Sequence, residues 1–266
     1  MNIRNRRHFL QIASAAAMIT PFFASTAKAE NPNDGDQLPG CNPSGGQPKK
    51  CECLLQGTEI LSDNGYIAVE NLKIGDLIVT DSGKLQPVKF IAKSSFAKMD
   101  NTAWKENVLP VCIKKSAFDI NVPSQDLYVS PRHSLFVDGF LIPAMYLVNG
   151  TSIVQAMPNG MDAVEYFHVE FEQHEVMFAN GVALESLMPS NDHKGFSNFK
   201  EYTRIFGTEI RTDVTPYAPV LGYNGGKQNV VALVRLAVSH VADVRDPIQV
   251  VYDRIVSRAK LQNRAA

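Results

Sequence analysis

Residues 53 to 190 consist of short runs that are either apolar or alternately apolar and polar, separated by turn dipeptides. This pattern constrains the fold more than any other feature of the sequence. The turns include Asn64-Gly65, Asp138-Gly139 and Asn180-Gly181, which suit the two-residue loops of β-hairpins. No stretch between the runs offers the helix that a βαβ crossover needs. The pattern therefore predicts an all-β domain of many short strands from residue 53 to residue 190.

The C-terminal extension, residues 191 to 266, has a different pattern. Residues 191 to 226 are polar and turn-rich, whereas residues 228 to 241 are apolar at helical spacing. Asp246-Pro247 then resembles an N-cap followed by proline at the first helical position. We expect about two helices here, docked on the β-domain or on a second copy in preference to a membrane surface.

The N-terminus, residues 1 to 29, resembles a cleavable export signal. Arg6 and Arg7 precede an apolar run of about 14 residues, shorter than the ~20 that span a bilayer. The surrounding NRRHFLQ resembles the twin-arginine motif, which indicates export of a folded protein to the periplasm or exterior of a bacterial cell. An ordinary secretory signal and an uncleaved anchor are the alternatives. We expect no stable transmembrane anchor after signal removal.

Residues 30 to 52 separate this signal from the β-domain. They are rich in Gly, Pro, Asn and Asp, which predicts a flexible linker. Cys41 and Cys51 could close a small disulfide loop in an oxidising compartment, and no second pair stands at zinc-ligand spacing.

The charge balance limits the partners of the chain. The formal net charge is −1, and removal of the four basic residues in the signal leaves −5. The near-balance of charges in the whole chain argues against a nucleic-acid or membrane-surface binder dominated by charge. The sequence carries no nucleotide motif or metal-ligand cluster, so no cofactor is implied.

Side chains that could carry chemistry concentrate in three segments of the predicted β-domain. Cys53 stands at the junction with the linker, where a nucleophile can attack its own upstream peptide bond. The second segment contains Ser130 and His133, and the third contains His168 and His174. A thiol of pKa about 8.5 is only a few per cent thiolate at neutral pH, so attack on an amide also needs acid-base help from a group such as imidazole.

The first segment resembles the opening block of the Hint domain, the self-processing module shared by inteins and hedgehog proteins. The likeness is strongest to the bacterial hedgehog/intein-like subfamily. That block has a first cysteine, Gly-Thr, a turn glycine and then Leu-x-x-Gly-Asp. The matching residues here are Cys53, Gly57-Thr58, Gly65 and Leu72-Lys73-Ile74-Gly75-Asp76.

The other two segments resemble the later blocks of the same domain. Ser130-Pro131-Arg132-His133 fits Thr-x-x-His, with serine in place of threonine. His174 followed by Phe178-Ala179-Asn180-Gly181 fits the third block. Three blocks in the right order imply a Hint fold for residues 53 to 190, roughly half of the chain.

The resemblance implies a role for each site residue. Cys53 would attack the carbonyl of Glu52 in an N-to-S acyl shift that gives a thioester, with the upstream peptide as substrate. His133 would bend and protonate the scissile amide, and Ser130 would help to hold it. His174 would assist later proton movement.

Structural roles compete with each of these assignments. A lone buried cysteine is usually a small apolar core residue, so Cys53 could be one. His133, His168 and His174 could be core histidines. The remaining two histidines of the extension, His193 and His240, stand alone and are interpreted as surface or packing residues.

Three departures from the intein pattern argue against complete protein splicing. Inteins end this fold with His-Asn, whose asparagine cyclises, whereas Glu185 and Ser186 stand there in this chain. The aspartate that many inteins carry in the third block aligns with Phe167. No usual intein nucleophile marks a downstream junction. Thioester formation followed by hydrolysis or transfer is the activity that remains.

Two hypotheses from different classes therefore stand. The first is a single-turnover self-cleaving domain, and the second is a non-catalytic exported Hint-fold module whose C-terminal helices mediate assembly or partner binding. A cysteine hydrolase acting on foreign substrates is a weaker third. Because cleavage before Cys53 would sever the export signal from the domain, processing would have to follow translocation.

Overall fold

The computed structural model describes most of the chain downstream of residue 51. The described ranges are 52–98, 104, 108–189, 193–208, 214–222 and 246–265. The predicted export signal, Cys41, Cys51, the predicted helix at 228–241 and His240 lie outside them.

The described part of residues 52–189 consists of short strands joined by turns, without a crossover helix. The strands are β1 (Leu54–Leu55), β2 (Glu59–Ser62), β3 (Gly65–Ala68), β4 (Leu77–Val79), β5 (Leu85–Pro87), β6 (Phe90–Ala97), β7 (Val111–Ile113), β8 (Leu127–Val129), β9 (Ser134–Val137), β10 (Phe140–Pro143), β11 (Ile153–Gln155), β12 (Ala163–Glu170), β13 (Val176–Ala179) and β14 (Val182–Glu185). Two 3-10 turns, Val69–Asn71 and Ala144–Leu147, interrupt the series. The prediction of an all-β domain is confirmed.

The strands form two sheets. One has six strands in the order β11-β7-β8-β1-β12-β6. The other has eight, in the order β10-β9-β14-β13-β2-β4-β5, with β3 paired to β2. Both sheets are built from antiparallel pairs, and β1, next to Cys53, lies between β8 and β12 inside the first sheet.

The turn dipeptides form hairpins as their composition predicts. Asn180 and Gly181 connect β13 to β14 with φ of 47° and 85°, and Asp138 and Gly139 connect β9 to β10 with φ of 51° and 85°. Two consecutive residues with positive φ are the geometry of a type I′ turn, whose twist matches that of the flanking strands. Asparagine, aspartate and glycine tolerate this conformation best.

The six-stranded sheet is buried on both faces. Leu54, Phe167 and Val169 belong to the main apolar core, which also contains side chains of the eight-stranded sheet. Their immediate chain neighbours Cys53 and Tyr166 belong to a separate apolar cluster on the opposite face, because successive side chains of a strand point to opposite sides. A one-residue change along β1 or β12 therefore moves a side chain from one face of the sheet to the other.

Part of the C-terminal extension covers this second face. His193–Gly195 forms a 3-10 turn and Phe199–Phe206 forms helix α1, which the sequence analysis missed. Phe196 packs against the Cys53 cluster and also against the neighbouring cluster of Phe90, Ala92, Leu187 and Tyr202. The extension thus adds a layer over the outer face of the six-stranded sheet.

The predicted helix after Asp246 forms as α2, Pro247–Ala265. The Asp246 carboxylate accepts the Ile248 N–H at 3.0 Å, as an N-cap does. Ile248, Val251 and Ile255 are buried in the main core, so α2 docks on the β-domain of its own chain. In the described part of the chain, no helix combines the length and apolar character needed to cross a bilayer.

Candidate functional site

Two hydrogen bonds join Cys53 and Ser130. The Cys53 N–H donates to Ser130 Oγ at 2.8 Å, and the Ser130 N–H donates to the Cys53 carbonyl oxygen at 2.8 Å. The two residues meet because Leu54 pairs with Val129 in the antiparallel β1–β8 ladder. A hydrogen bond to the Ser130 hydroxyl group therefore holds the nitrogen of the Glu52–Cys53 peptide bond in place.

The Cys53 side chain is completely buried. It lies among Leu55, Val108, Val164 and Tyr166 on the outer face of the six-stranded sheet. Burial, followed by the nearby Glu52 carboxylate, raises the pKa of the Cys53 thiol well above its ordinary value. The resting side chain is therefore a neutral thiol.

His133 lies at the same centre and is also completely buried. Its Nε2 is 3.1 Å from the Glu185 carbonyl oxygen. A carbonyl can only accept, so the neutral ring carries its proton on Nε2 and has an unprotonated Nδ1. Burial lowers the pKa of His133 to about 4, and backbone groups of Glu185, Cys53 and Glu52 oppose that shift. At neutral pH the ring is an uncharged base close to the Glu52–Cys53 peptide.

His168 adds a second neutral imidazole beside the first. Its ring centroid is 5.0 Å from that of His133, and the side chain is fully buried. In the described part of the chain neither ring nitrogen has a well-formed hydrogen bond, although the Glu185 backbone is close enough to oppose the lowering of the ring's pKa. Burial, with smaller contributions from His133, His174 and His193, lowers the pKa of His168 well below its usual value. His168 and Cys53 lie on the same face of the six-stranded sheet.

Phe167, at the position that aligns with an intein aspartate, lies on the opposite face. Its side chain is buried in the main core and its strand partner is Leu54, not Cys53. The neighbour that faces His133 is His168. From the sequence, a core or surface placement and a catalytic role for His168 were about equally open, and the structure places its buried ring next to the predicted site.

His174 is held from two sides. The Tyr217 N–H donates to His174 Nδ1 at 3.0 Å, and His174 Nε2 lies 3.7 Å from Glu185 Oε2. The other carboxylate oxygen of Glu185 accepts the Ser134 N–H at 2.7 Å. Burial lowers the pKa of His174 to about 4, against an opposing backbone contribution from Ser186.

Glu185 and Ser186, the residues at the intein His-Asn positions, are structural partners of this site. Glu185 contacts His133 through its carbonyl and approaches His174 through its carboxylate. Ser186 Oγ accepts the Glu175 N–H at 2.9 Å, and the Ser186 N–H donates to the Glu175 carbonyl at 2.8 Å. Neither residue contains the amide that asparagine cyclisation requires.

The structure thus brings together Cys53, Ser130 and His133, with Glu185 joining His133 to His174. Sequence reasoning missed Tyr217, which carries no motif. It also left His193 as a surface or packing residue. His193 is buried, stacks on Tyr202 at 3.7 Å between centroids and lies 2.6 Å from Glu170 Oε2, so the surface alternative is wrong and the packing one correct.

The described ranges contain no group of three or more His, Cys, Asp or Glu side chains arranged to hold a metal ion. His174 and the Glu185 backbone lie near the His133–His168 pair.

The curled antiparallel sheets agree with the family comparison. The family model of the Hint domain (Hint_2) matches residues 52–191, more than half of the chain. The chain therefore belongs to the Hint-domain family, and its fold is one that supports self-processing in general.

Solved structures of similar fold include three intein-type proteins. The gp41-1 intein is 13% identical with a TM-score of 0.35, and the match covers 50% of this chain and 96% of that chain. The MchDnaB-1 intein is 14% identical with a TM-score of 0.34, covering 49% and 98%. A bacterial intein-like domain from Clostridium thermocellum is 13% identical with a TM-score of 0.31, covering 52% and 100%. No curated protein matches the chain.

Proposed function

We propose that this Hint domain cleaves its own chain once, at the Glu52–Cys53 peptide bond. The observation that carries the proposal is the hydrogen bond of 2.8 Å from the scissile N–H to Ser130 Oγ, with the His133 ring beside the same peptide. A hydroxyl group and an imidazole close to the atoms of one peptide bond are what an amide-to-thioester exchange requires.

The proposed step is an N-to-S acyl shift. Cys53 Sγ attacks the Glu52 carbonyl carbon, a carbon–sulfur bond forms, and the carbon–nitrogen bond breaks. The thiol loses a proton and the departing nitrogen gains one, so the exchange is balanced within the site. The products are a thioester to Glu52 and a free α-amino group on Cys53.

The protonation states favour His133 as carrier of this proton. The buried thiol does not ionise on its own, because burial raises its pKa. His133 is neutral at physiological pH, since its pKa is lowered to about 4. A neutral imidazole can accept the thiol proton as attack begins and deliver it to the amide nitrogen as that bond breaks. Ser130 keeps the nitrogen in place throughout.

The thioester is then resolved by hydrolysis or by transfer to an external nucleophile. Glu185 and Ser186 cannot cyclise as asparagine does, so a second cleavage and complete splicing are not part of the proposal. Release of the upstream peptide leaves a chain that begins at Cys53. His174, which lies beyond Glu185, serves this later stage.

Intact-mass measurement tests the proposal. The full chain is purified and incubated with and without dithiothreitol, beside the Cys53→Ala and Cys112→Ala variants. Thiol-dependent appearance of residues 53–266 in wild type and Cys112→Ala, and its absence from Cys53→Ala, is the expected result. Cys112 is the matched control because it is also a buried cysteine, on β7. Unchanged mass of the wild-type chain after long incubation with thiol would overturn the proposal.

A non-catalytic Hint module is the second candidate function. It is favoured by the complete burial of Cys53 under a layer that includes Phe196 of the extension. In that case the wild-type chain stays intact, and Cys53→Ala, which truncates a buried side chain, lowers its stability without changing its assembly state. Calorimetry and size-exclusion chromatography with light scattering measure both properties.

Export by the twin-arginine route is a further part of the proposed function. It is supported by Arg6 and Arg7 before the apolar run, with small residues beyond it. Replacing both arginines by lysine should retain the protein in the cytoplasm of a bacterial host, as judged by fractionation. Unchanged export of this variant would point to an ordinary secretory route. Since cleavage at Cys53 removes the signal, we expect the 53–266 fragment only outside the cytoplasm.

A further inference from the structure

A segment of the C-terminal extension lies directly against His174. Residues 214–222 are downstream of the matched Hint domain, yet the Tyr217 N–H donates to His174 Nδ1 at 3.0 Å. The Tyr217 hydroxyl donates to Asp81 Oδ2 at 2.9 Å, and its ring meets Phe136 edge-on at 5.5 Å between centroids. Tyr217 is therefore anchored by its backbone, its ring and its hydroxyl group.

The residues after Tyr217 attach to the edge of the eight-stranded sheet. The Leu141 N–H donates to the Pro219 carbonyl at 2.9 Å, and the Leu221 N–H donates to the Leu141 carbonyl at 2.8 Å. Val220 pairs with Leu141 in a parallel bridge on β10, the edge strand. Strand addition of this kind supplies backbone hydrogen bonds to an otherwise unpaired edge. We call residues 217–221 the strap.

The contact with Tyr217 determines the tautomer of His174. A peptide N–H can only donate, so Nδ1 must hold a lone pair and the neutral ring must carry its proton on Nε2. Protonation of Nδ1 would set two donors against each other and break the bond to the strap. His174 can therefore offer the Nε2–H to a neighbour, but it cannot take up a second proton while the strap is docked.

We propose that Tyr217 is a positioning residue, whose backbone N–H locks His174 as a neutral Nε2–H donor. A catalytic consequence of this fixed tautomer rests on the proposed function, in which His174 serves the resolution of the thioester. With the strap in place, His174 acts as a fixed hydrogen-bond donor and not as a proton shuttle. The extension is then part of the site of the Hint domain.

The surroundings of His174 allow this state to persist. Burial lowers the pKa of His174 to about 4. The hydrogen bond from the Tyr217 N–H acts in the same direction, because it opposes protonation of Nδ1. The titratable groups around His174 are Glu185 on β14, the two imidazoles of His133 and His168, and Glu175, which is adjacent in the chain. On the strap side stands Tyr217, whose hydroxyl donates to Asp81. The Glu185 carboxylate lies 3.7 Å from Nε2 and favours a proton there.

Two variants at one position isolate the backbone contact. Tyr217→Ala removes the ring and hydroxyl and keeps the N–H, whereas Tyr217→Pro removes the N–H as well. Each is made in the full chain with Cys53→Ala, so that no processing intervenes. Nitrogen-15 correlation spectra of labelled histidine show which ring nitrogen is protonated, and a pH titration gives the pKa of His174.

We expect an unprotonated Nδ1 in the parent and in Tyr217→Ala, and a mixture of tautomers in Tyr217→Pro. Loss of this hydrogen bond should raise the pKa of His174 in the proline variant by up to about one. Identical His174 spectra in the alanine and proline variants, or a protonated Nδ1 in the parent, would overturn the proposal. If Tyr217→Pro does not fold, Leu221→Pro against Leu221→Ala loosens the strap from its other end, with the same expectation.

Cleavage assays of the same strap variants with Cys53 restored separate this inference from the proposed function. A resolution rate that differs between Tyr217→Pro and Tyr217→Ala, with equal thioester formation, supports a positioning role. Equal rates of both steps overturn that role. If neither the wild-type chain nor any variant cleaves, the proposed function fails. The spectra of His174 then still show whether the Tyr217 N–H fixes its tautomer.

Discussion

The Cys53 amide nitrogen lies 2.8 Å from the Ser130 side-chain oxygen, and the Ser130 amide nitrogen lies 2.8 Å from the Cys53 carbonyl oxygen. This reciprocal pair ties the end of β8 to the start of β1. Ser130 therefore contributes to local folding and also holds the nitrogen of the Glu52–Cys53 bond, and substitution can separate the two contributions.

Ser130→Ala should leave the buried Cys53 N–H without its acceptor. We expect a loss of about 1–3 kcal/mol in unfolding free energy, measured by urea denaturation, and slower thiol-dependent cleavage by about tenfold or more. Ser130→Thr keeps the hydroxyl and should retain both properties to a larger extent. Equal cleavage rates for the alanine and threonine variants would show that the hydroxyl does not hold the scissile bond.

Phe167→Asp should not restore an intein-like step. Position 167 faces the main core, so the substitution buries a carboxylate among apolar side chains. We expect a loss of about 4 kcal/mol or more, seen as a large drop in melting temperature and no gain in downstream cleavage. Phe167→Leu, which keeps an apolar side chain, is the control and should be much less destabilising. A stable Phe167→Asp protein would contradict this assignment of faces.

Acid should destabilise the fold through its buried histidines. The pKa of His133 is about 4 in the folded chain and about 6.5 in an unfolded one. Above pH 6.5 both states are neutral, so this histidine adds no pH dependence. As pH falls from 6.5 to 4 the unfolded chain takes up the proton first, and stability falls by about 3 kcal/mol for one such group.

Urea unfolding at pH 7, 5.5 and 4.5 measures this loss. His168→Leu removes one of the three buried imidazoles whose pKa is lowered, so its stability should fall less steeply over that range. His8→Leu, in the N-terminal signal, is the matched control and should leave the slope unchanged. A His168→Leu protein as acid-sensitive as wild type would contradict the assigned cause.

Substitutions of Asn180 should destabilise the turn between β13 and β14 to different extents. This turn supports the segment that follows Cys53, through Glu59. The Asn180 N–H donates to the Glu59 carbonyl at 2.8 Å, its Oδ1 accepts the Glu59 N–H at 2.9 Å, and its φ is 47°. Asn180→Ala loses the side-chain bond and strains the backbone, so we expect a loss of about 2–3 kcal/mol. Asn180→Gly loses the bond without the strain and should be about 1 kcal/mol more stable than the alanine variant. Chemical denaturation of both proteins gives the difference, and the reverse order would exclude strain as a cause.

The sequence was informative where chemistry and turn geometry are local. Cys53, Ser130 and His133 could be placed by their motifs, and the hairpin at Asn180 by its dipeptide. Which face of β12 a residue occupies depends on a register of one residue, so Phe167 and His168 could not be told apart by pattern alone. Tyr217 acts through its backbone N–H, which every residue except proline has, and its contact with His174 is set only by tertiary docking.

Helix α2 provides a test of how the extension is attached. Ile255 is buried in the main core, and the flanking Arg254 and Arg258 pair with Asp138 and Asp119 of the β-domain. Ile255→Ala should cost about 2–4 kcal/mol in unfolding free energy, independent of protein concentration, because the contact lies within one chain. Lys260→Ala, on the exposed side of the helix, should change stability by less than about 0.5 kcal/mol. If the helix instead packed on a second copy, wild-type stability would rise with concentration and Ile255→Ala would abolish a dimer in sedimentation velocity.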